Sequence, residues 1–513
     1  MKKIALISVS DKKDIHILAS KLIKNNYTIL STGGTAKHLI SKGIDIVPIS
    51  EFTNFDEILG GRVKTLHPII HAGILAKSQK DLNDLDDKKY QLIDMVVVNL
   101  YPFERTISDK NCTFNEAIEN IDIGGPTLLR ASAKNHTRVT VLTEPEDYQN
   151  VINEIEKSGS ITKSMRRELA SKAFLKVSKY DAMIANYLLN KQKSESLLSS
   201  NIHLEANELE ELRYGENPHQ KAKLYGVITP ILSSFNYSQL SGKKISFNNL
   251  VDTESAYSCV EQFKEPTCVI VKHANPCGVA SAKSIDEAYK KAYKTDPTSA
   301  FGGIIAFNKK IDSVLIKKII NKQFVEVIAA PAFDNNASNV IKAKPNVRLI
   351  KIDHKQNSQI YEAKLLRNKL LVQEKDDKNL LRKNLKIVTN KKPTKTQLDD
   401  MIFAFKVSRY VKSNAIVLVK NMKTLAIGAG QMSRIESTNI ANNKAKREKI
   451  SLKGCVMASE AFFPFRDNVD LAKKIGVSAI IQPGGSINDE TIINVANKLK
   501  LSMCFSGVRV FKH

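Results

Sequence analysis

A lysine and a histidine stand next to each other directly after an apolar run of the chain. The run Cys268–Val271 predicts a buried strand, and Lys272 and His273 follow it. Residues 275–278, Asn-Pro-Cys-Gly, predict that regular structure ends there. Histidine titrates near neutral pH and lysine carries a positive charge, so the pair is suited to acid–base chemistry. A strand end with two solvated polar residues explains the segment equally well, and the segment alone leaves both interpretations open.

A second group of cations lies in residues 60–68, Gly-Gly-Arg-Val-Lys-Thr-Leu-His-Pro. Two cations at alternate positions followed by a hydroxyl suit a phosphate or another anion. The paired glycines indicate a constrained backbone, which favours this interpretation over a solvated basic loop. Residues 32–35, Thr-Gly-Gly-Thr, lie between a predicted strand and a predicted helix, where backbone amides can hold a phosphate. They lack the established phosphate-loop spacings, so alone they indicate an ordinary turn with a threonine N-cap.

Further polar residues follow the apolar strand predicted at Met95–Leu100. Ligands of open α/β sheets bind at the carboxyl ends of strands, so Tyr101 is placed to donate a proton or a hydrogen bond. A core tyrosine is the alternative. Asp122, with Gly124 and Gly125 after it, adds a carboxylate, and Lys134 ends a helical run.

The elements that must position these residues alternate along the first part of the chain. Repeated alternation of strand and helix predicts a parallel sheet with helices on both faces. The predicted strands are Ile4–Val9, Tyr27–Leu30, Met95–Leu100 and Val139–Thr143, and helices are predicted over Lys12–Asn25 and up to Ser41.

Two polar stretches divide the chain. Residues 190–212 predict a linker or a surface helix, and we place a domain boundary there, between 1–195 and 196–513. Residues 373–397 divide the second part into about 196–375 and 376–513. Each of these halves has a helix, an apolar strand and a glycine-rich turn, which predicts a diverged internal duplication.

Composition excludes several classes of protein. No segment approaches the roughly 18 consecutive apolar residues of a membrane span, and the apolar stretch at the N-terminus is too short for a signal peptide. The six cysteines are scattered without a CxxC pair, which predicts reduced thiols in a cytoplasmic protein and no zinc site. The net charge of +25 suggests nucleic acid, but only 15 of the 78 basic residues are arginine. A positive field that attracts small anionic substrates fits the same charge.

Nine strings of the chain, in order, resemble those of one family, the bifunctional enzymes that join AICAR formyltransferase to IMP cyclohydrolase. AICAR is phosphoribosylaminoimidazolecarboxamide. The strings are GGRVKTLHP, NLYPF, DIGG, RYGENPHQ, VKHANPCG, AFGG, SNA, FFPFRDN and RVFKH. The resemblance implies an α/β fold with a methylglyoxal-synthase-like parallel-sheet domain, followed by a transformylase domain of two cytidine-deaminase-like α/β subdomains.

The chain departs from true deaminases at their metal ligands. Residues 458–460 are Ala-Ser-Glu where a deaminase has a histidine before the glutamate, and residues 483–486 are Pro-Gly-Gly-Ser in place of Pro-Cys-x-x-Cys. Without these ligands no zinc activates a water molecule, so we expect no catalytic metal and no deamination.

The resemblance implies formyl transfer from 10-formyltetrahydrofolate to the 5-amino group of AICAR, which gives formyl-AICAR and tetrahydrofolate. His273 is the candidate base, Lys272 would stabilise the oxyanion or assist protonation of the folate, and Asn414 would bind the formyl oxygen or orient His273. The family positions that would line the nucleotide and folate pockets are Arg213, Tyr214, Gly302, Ser433, Arg434, Phe462, Asp467, Arg509 and His513.

The resemblance also implies ring closure of formyl-AICAR to IMP with loss of water, in which proximity of the reacting groups matters most. Lys64 and Tyr101 would stabilise the oxyanion and move protons, and Asp122 and Lys134 would act on the carboxamide. The residues expected to hold the phosphate and ribose or to neighbour that pocket are Ser10, Lys12, Thr32, Gly34, Thr35, Arg62, Thr65, Asn99 and Gly124.

The partners implied are these small molecules and a second copy of the chain, in a homodimer with transformylase sites at its interface. We expect no nucleic acid, no membrane and a cytoplasmic location. The alternatives are a transformylase with a lost cyclohydrolase activity, and a basic nucleic-acid-binding protein, which salt-sensitive binding insensitive to AICAR analogues would identify.

Overall fold

The chain divides into two units, Met1–Glu205 and Ala206–His513. We describe them from a computed structural model, which covers residues 2–109, 111–191, 202, 204–228, 235–353 and 361–513. The boundary predicted between residues 195 and 196 lies outside these described ranges.

The first unit contains a five-stranded sheet in which every neighbouring pair is parallel. The strands are β1 (Lys3–Val9), β2 (Tyr27–Ser31), β3 (Val47–Pro48), β4 (Met95–Asn99) and β5 (Thr140–Leu142), in the order β3-β2-β1-β4-β5. The predicted parallel sheet is therefore confirmed.

Helices cover both faces of this sheet because its central strands are apolar along their whole length. In β1, Ile4 and Leu6 pack into one core cluster, whereas Ala5, Ile7 and Val9 pack into another on the opposite face. The helices are α1 (Ile15–Lys24), α2 (Gly33–Ser41), α3 (Ile49–Thr53), α4 (Pro68–Leu75), α5 (Gln79–Asp87), α6 (Phe103–Ser108), α7 (Phe114–Glu119), α8 (Gly124–Lys134), α9 (Tyr148–Ser158) and α10 (Lys163–Lys191).

The second unit contains two six-stranded mixed sheets and two hairpins. The hairpins are β6 (Glu205–Glu211) with β7 (Lys223–Ile228), and β14 (Tyr361–Leu366) with β15 (Lys369–Glu374). The first sheet contains β8 (Tyr237–Ser241), β9 (Thr267–Lys272), β10 (Asn275–Ser281), β11 (Gly303–Phe307), β12 (Val325–Ala330) and β13 (Arg348–Ile352). The second contains β16 (Lys386–Ile387), β17 (Ile416–Val419), β18 (Thr424–Gly428), β19 (Val456–Ser459), β20 (Ala479–Gln482) and β21 (Ser502–Phe505).

The two large sheets have the same topology. Their strand orders are β10-β9-β11-β12-β13-β8 and β18-β17-β19-β20-β21-β16. In the first sheet, β12 is parallel to both β11 and β13, and in the second, β20 is parallel to both β19 and β21. All other neighbouring pairs in the two sheets are antiparallel. This shared topology supports the predicted internal duplication.

The helices of the second unit pack on these sheets, and several begin at hydroxyl or carboxylate N-caps, which satisfy free amides. They are α11 (Phe247–Val260), α12 (Ile285–Tyr293), α13 (Pro297–Ala300), α14 (Ser313–Lys322), α15 (Ala337–Ile341), α16 (Lys395–Ser408), α17 (Arg434–Arg447), α18 (Asp467–Ile475) and α19 (Asp489–Lys498). Short 3-10 turns occupy Leu59–Gly61, Pro145–Asp147 and Arg382–Asn384.

Two predictions about local structure are wrong. Residues 275–278 do not end the regular structure, because they begin β10, an edge strand with a register shift between Pro276 and Gly278. Edge strands and bulges are the places where a sheet tolerates proline. Residues 205–211 are not a linker or a helix, because they form β6 and pair with β7. Within the described ranges, no helix combines the length and apolar character that crossing a membrane requires.

Candidate active sites

Two lysines lie beside the start of α2 in the first unit. A Cβ atom placed on Gly33 would lie 3.5 Å from Lys64 Nζ, and one placed on Gly34 would lie 4.0 Å from Lys12 Nζ. Both ammonium groups are therefore close to the helix amino end, where the free amides and the helix dipole favour an anion. The interpretation of residues 32–35 as an ordinary threonine-capped turn is wrong in one respect, since the side chain of Thr32 makes no capping hydrogen bond.

Side-chain hydrogen bonds hold the loops around these lysines in place. Thr35 Oγ1 accepts from the Val9 amide at 3.0 Å and donates to the Val9 carbonyl at 2.9 Å, which joins α2 to the end of β1. Thr32 Oγ1 lies 3.1 Å from Ser8 Oγ. Asn99 Oδ1 accepts from the amides of Ser10 and Asp11. Asn99 and Thr35 thus shape the loop that carries Ser10 and Lys12.

Asp122 interacts with both Tyr101 and Lys64 next to the start of α8. Asp122 Oδ1 accepts from the Gly125 amide at 2.8 Å. Burial raises the pKa of the Asp122 carboxyl, and the amides of Gly125 and Tyr101 and the charge of Lys64 act in the opposite direction. Burial and the nearby Asp122 carboxylate raise the pKa of the Tyr101 phenol. A carboxylate, a phenol and an ammonium group within electrostatic reach can exchange protons with one substrate.

The start of α8 is closely packed against the same residues. A Cβ atom on Gly125 would lie 2.5 Å from Asp122 Oδ2 and 2.8 Å from Leu100 Cδ2, so a larger residue there would displace these side chains. A Cβ atom on Gly124 would lie 3.0 Å from the hydroxyl of the buried Thr65. Thr65 and Gly124 therefore neighbour each other, as the predicted phosphate and ribose pocket requires.

Two predicted residues of the first unit lie apart from this cluster. The Arg62 side chain pairs with Glu119 at 2.5 Å on the surface, and this hydrogen bond raises the pKa of the guanidinium. Lys134 is the last residue of α8, and at about 1.5 Å per residue it lies about 15 Å along the helix from Gly124. Asp122 and Lys134 of the same chain therefore lie at opposite ends of α8, and Arg62 is already paired with Glu119.

In the second unit, Lys272 is the last residue of β9, the second strand in the first six-stranded sheet. Because β9 is antiparallel to β11, Lys272 lies beside the start of β11. Its Nζ donates to the carbonyl of Gly302 at 2.9 Å and to that of Phe301 at 3.2 Å. An ammonium group has three N–H donors, so these two bonds aim the group and leave one donor for a ligand.

His273 occupies a tight turn between β9 and β10. His273 and Ala274 have φ values of 54° and 55°, in the left-handed region, which costs about 1–2 kcal/mol for a residue with a side chain. The Asp252 carboxylate on α11 accepts from the Ala274 amide at 2.7 Å and also interacts with the His273 amide. Ser255 on the same helix donates to the Ala274 carbonyl at 3.1 Å. The turn leaves the imidazole exposed.

Asn414 belongs to a hydrogen-bonded group just before the start of β17 in the second sheet. Its Nδ2 donates to the Gln431 carbonyl at 2.8 Å, and its Oδ1 accepts from Arg434 Nη2 at 2.8 Å. The peptide bond between Ser413 and Asn414 is cis. Two residues before Asn414, the Lys412 amide donates to Asn275 Oδ1 at 2.9 Å, and Asn275 lies two residues after His273. This bond brings the segments that carry His273 and Asn414 together.

Arg434 connects Asn414 to the residues after β19. Its Nη2 lies 2.9 Å from Glu460 Oε1, and its Nη1 donates to the Phe462 carbonyl at 3.0 Å. Ser433 caps α17 by accepting from the Glu436 amide. Asp467 begins α18, where it accepts from the Asn468 amide at 2.7 Å. Ser433 and Phe462 thus border the cluster. The Ser433 hydroxyl and the Phe462 carbonyl already have hydrogen-bond partners within the protein.

The C-terminal residues are bound to the same part of the second unit. Val510 is buried, and its amide donates to the Glu460 carbonyl at 3.0 Å. The Ser413 amide donates to the Lys512 carbonyl at 2.9 Å. Arg509 lies over the ring of Phe511, whose ring centroid is 5.5 Å from that of His513. Arg509 and His513 thereby lie on exposed chain next to Asn414 and Glu460.

Arg213 and Tyr214 lie in the loop between β6 and β7, outside the first six-stranded sheet. Arg213 donates to the Tyr214 hydroxyl at 2.6 Å. Both influence Arg348, whose guanidinium pKa is lowered chiefly by burial. Arg348 begins β13, three strands from Lys272, or about 14 Å at ordinary strand spacing.

Three charged side chains of these clusters were not predicted as site residues: Asp252, Arg348 and Glu460. Asp252 gives no local signal, because it lies on the face of a helix about twenty residues before the turn it contacts. Arg348 is a lone arginine in an apolar strand, an unusual residue for a buried position, and that signal could have identified it. Glu460 gives a similar signal, because it is a charged residue directly after the buried strand β19.

The cysteines and possible metal ligands do not form a recognisable centre. All six cysteines are unpaired, and five of them are buried. Across the residues that the structure covers, no three or more His, Cys, Asp or Glu side chains are grouped to hold a metal ion. The expectation that no catalytic metal is needed stays a prediction.

The fold is that of a two-unit α/β protein, and each unit has its own cluster of cationic and proton-transfer side chains. Residues 14–127 match the family of MGS-like domains, and residues 132–444 match the family described as AICARFT/IMPCHase bienzyme. The chain therefore belongs to the AICARFT/IMPCHase bienzyme family. The bifunctional purine biosynthesis protein PurH of Caldicellulosiruptor bescii is 48% identical over 519 residues, which cover 100% of both chains.

This similarity establishes the activity. The chain is a bifunctional enzyme of purine biosynthesis with AICAR formyltransferase and IMP cyclohydrolase activities. The alternative of a basic nucleic-acid-binding protein finds no support. Among solved structures, the crystal structure of ForH is similar in sequence at 33% identity, covering 36% of this chain and 97% of that one, with a TM-score of 0.32.

Proposed function

We propose that the two activities reside in separate units, with cyclohydrolase in Met1–Glu205 and formyltransferase in Ala206–His513. The observation that supports this division is that each unit holds its own group of ammonium and proton-transfer side chains. In the first unit, Asp122 interacts with Tyr101 and Lys64. In the second, the bond between Lys412 and Asn275 joins the segment that carries Lys272 and His273 to the segment that carries Asn414.

In formyl transfer, we propose 10-formyltetrahydrofolate as the donor and His273 as the base. The 5-amino group of AICAR attacks the formyl carbon while the His273 imidazole takes the proton from its nitrogen. The oxyanion that forms accepts from the remaining N–H of Lys272, whose other donors are held by Phe301 and Gly302. The bond from carbon to the folate N10 then breaks, and N10 takes up the proton as tetrahydrofolate leaves.

Asn414 fits a supporting role in the same step. Its Oδ1 and one N–H are bonded to Arg434 and Gln431. One amide N–H therefore stays available for the formyl oxygen. Two other predicted residues, Arg509 and His513, are exposed beside it and suit the nucleotide phosphate.

In ring closure, we propose that the carboxamide nitrogen of formyl-AICAR attacks the formyl carbon in the first unit. The Asp122 carboxylate takes the amide proton, and its raised pKa makes it a stronger base than an ordinary carboxylate. Lys64 stabilises the oxyanion, and the Tyr101 hydroxyl gives it a first proton. The proton held by Asp122 then passes to the same oxygen as the C–O bond breaks and water leaves. The Tyr101 phenolate takes the remaining N–H proton, which completes the C=N bond of IMP. Lys12 and the start of α2 bind the phosphate.

The test separates the two activities by mutation. His273→Ala lowers kcat of formyl transfer by about 10²-fold or more, the usual contribution of a general base, while cyclisation of supplied formyl-AICAR stays unchanged. Lys64→Ala gives the reverse pattern. Lys272→Ala should also lower kcat of formyl transfer, because it removes the proposed oxyanion donor. Lys420→Ala is its matched control, because Lys420 occupies the equivalent strand end in the second sheet. If a folded His273→Ala enzyme also lost cyclisation, the division into two sites would be wrong.

We also propose that the enzyme is a homodimer with the formyltransferase sites at its interface. Large apolar side chains are exposed near these sites, among them Phe301 (64%), Met432 (103%) and Phe465 (66%), and exposed apolar groups of this kind indicate contact with another molecule. Dilution that produces monomers in sedimentation should abolish formyl transfer and leave cyclisation intact. Full formyl transfer by a monomer would contradict this proposal. The cytoplasmic location likewise stays a prediction.

A further inference from the structure

The duplicated sheets contain the same turn twice. The turn between β9 and β10 has His273 and Ala274 at its centre, and the turn between β17 and β18 has Asn421 and Met422 there. The four φ values are 54°, 55°, 55° and 56°. Left-handed conformation at two consecutive residues with side chains is rare, so its occurrence at equivalent positions indicates a common constraint.

An aspartate supplies that constraint in both halves. Asp252 lies five residues after the start of α11, and Asp400 lies five residues after the start of α16. Asp252 accepts from the Ala274 amide at 2.7 Å, and Asp400 accepts from the amides of Asn421 and Met422 at 2.9 Å and 2.7 Å. A carboxylate that accepts two amides of such a turn stabilises it.

The lysines before the two turns are also held alike. Lys272 Nζ donates to the Gly302 and Phe301 carbonyls, and Lys420 Nζ donates to the Lys453 carbonyl at 2.8 Å. The glycines of these loops, Gly302 and Gly454, have φ values of 66° and 76°. At the first central position one turn has an imidazole and the other an amide, whereas the second position is apolar in both, Ala274 and Met422.

We propose that Asp252 is a positioning residue for formyl transfer, because its carboxylate fixes the backbone from which His273 reaches the amine of AICAR. This inference rests on the proposed role of His273 as base. Three more contacts restrain the turn: Ser255 donates to the Ala274 carbonyl, Asn275 donates to the His273 carbonyl at 3.2 Å, and Lys412 donates to Asn275. The side chain of Asp252 is the one that holds the central amides.

The second half of the fold provides a matched control for this role. Asp400 makes the same contacts to a turn without a histidine. Replacing either aspartate removes an acceptor of the central amides and loosens one hairpin, although Asp400 is buried and Asp252 is half-buried. Loss of catalysis is expected for Asp252 alone.

The experiment compares Asp252→Ala and Asp252→Asn with Asp400→Ala and Asp400→Asn in the full-length enzyme. We expect Asp252→Ala to lower kcat of formyl transfer by about tenfold or more, since small misplacements of reacting groups have effects of this size, with KM for AICAR within about twofold. Asp252→Asn keeps one acceptor oxygen and should give an intermediate kcat. Both Asp400 variants should keep kcat, and all four should cyclise formyl-AICAR at the unmodified rate.

An NMR measurement adds a readout that a structural role alone would not move. The ring signals of His273, assigned by their absence in His273→Ala, should shift or broaden in Asp252→Ala and stay in place in Asp400→Ala. Equal losses of kcat in the Asp252 and Asp400 variants, or an unchanged kcat in both Asp252 variants, would overturn the inference. If His273→Ala itself retained formyl transfer, the proposed base would be wrong instead, so the two failures are distinguishable.

Discussion

Arg434 Nη2 lies 2.9 Å from Glu460 Oε1, in an ion pair whose carboxylate exposes no surface. The same guanidinium group donates to Asn414 Oδ1 and to the Phe462 carbonyl. A buried carboxylate needs a charged partner, so Glu460 fixes Arg434, and Arg434 fixes Asn414. The predicted formyltransferase residue Asn414 is thus held by a pair of charges behind it.

Removing Arg434 should leave an unpaired charge in the interior. We expect Arg434→Ala to lower the free energy of unfolding by about 3–5 kcal/mol, as for other broken buried pairs, and to lower kcat of formyl transfer. Urea denaturation of the enzyme measures the first effect. Arg466→Ala is the control, because Arg466 pairs with Asp470 on the surface and should change stability by less than about 1 kcal/mol. Similar losses in both variants would show that the burial of Glu460 is unimportant.

Asp122 should couple stability to pH in a definite direction. Its pKa is raised by burial, so the folded state binds the proton more tightly than the unfolded chain. Stability therefore falls as pH rises from the ordinary value through the raised one.

Asp122→Asn should accordingly melt at the same or a higher temperature than the unmodified enzyme at pH 7, with its advantage disappearing at acidic pH, and it should lose cyclisation. Scanning calorimetry at several pH values measures this. Asp470→Asn is a control of opposite sign, because Arg466 lowers the pKa of Asp470. A lower melting temperature for Asp122→Asn at pH 7 would contradict the assignment.

The two lysines at the start of α2 should affect different kinetic constants. Lys12→Ala should raise KM for formyl-AICAR, because Lys12 is proposed to bind the phosphate in ground and transition states alike. Lys64→Ala should lower kcat, because its contact with the oxyanion exists only during the reaction. Lys13→Ala is the neighbouring control, since Lys13 pairs with Glu146 on the surface. Equal KM effects in the Lys12 and Lys13 variants would exclude a specific phosphate contact.

The cysteines should react with thiol reagents at very different rates. Burial raises the pKa of Cys277 and Cys455 to about 12 and that of Cys504 to about 11, which leaves few thiolates at pH 8. Cys112 is the one cysteine that is not buried. We expect one rapidly titrating thiol per folded chain and six after denaturation. Cys112→Ser should remove the rapid phase, and a rapid phase of two or more thiols would contradict the burial of the others.

Local patterns were sufficient for elements whose residues interact with near neighbours. The strands predicted at Ile4–Val9 and Met95–Leu100 lie within one residue of β1 and β4, because apolar runs bounded by polar residues indicate buried parallel strands. The lysine of the phosphate-like segment, Lys64, was also recognisable. It follows two glycines with φ values of 65° and 84°.

Interactions between distant parts of the chain were not predictable in this way. Pro276 led to the wrong prediction of a break. A proline is tolerated there because β10 is an edge strand, and no local pattern shows which strand lies at the edge of the sheet. Arg62 was predicted as a phosphate ligand without regard to Glu119. This ion-pair partner is 57 residues away in the chain, so no local pattern shows it. The contact from Asp252 to the turn of His273 depends on how α11 packs, so the residue that supports the proposed base has no signal of its own.

Each of the three large sheets takes all its strands from one uninterrupted stretch of chain: residues 3–142, 237–352 and 386–505. No strand is exchanged between them. During synthesis on the ribosome, the nascent chain can therefore complete one sheet before the next has emerged, and domains that fold in this order expose few unpaired edges at any time. A stalled chain ending after residue 352 would already contain every strand of the sheet that presents His273.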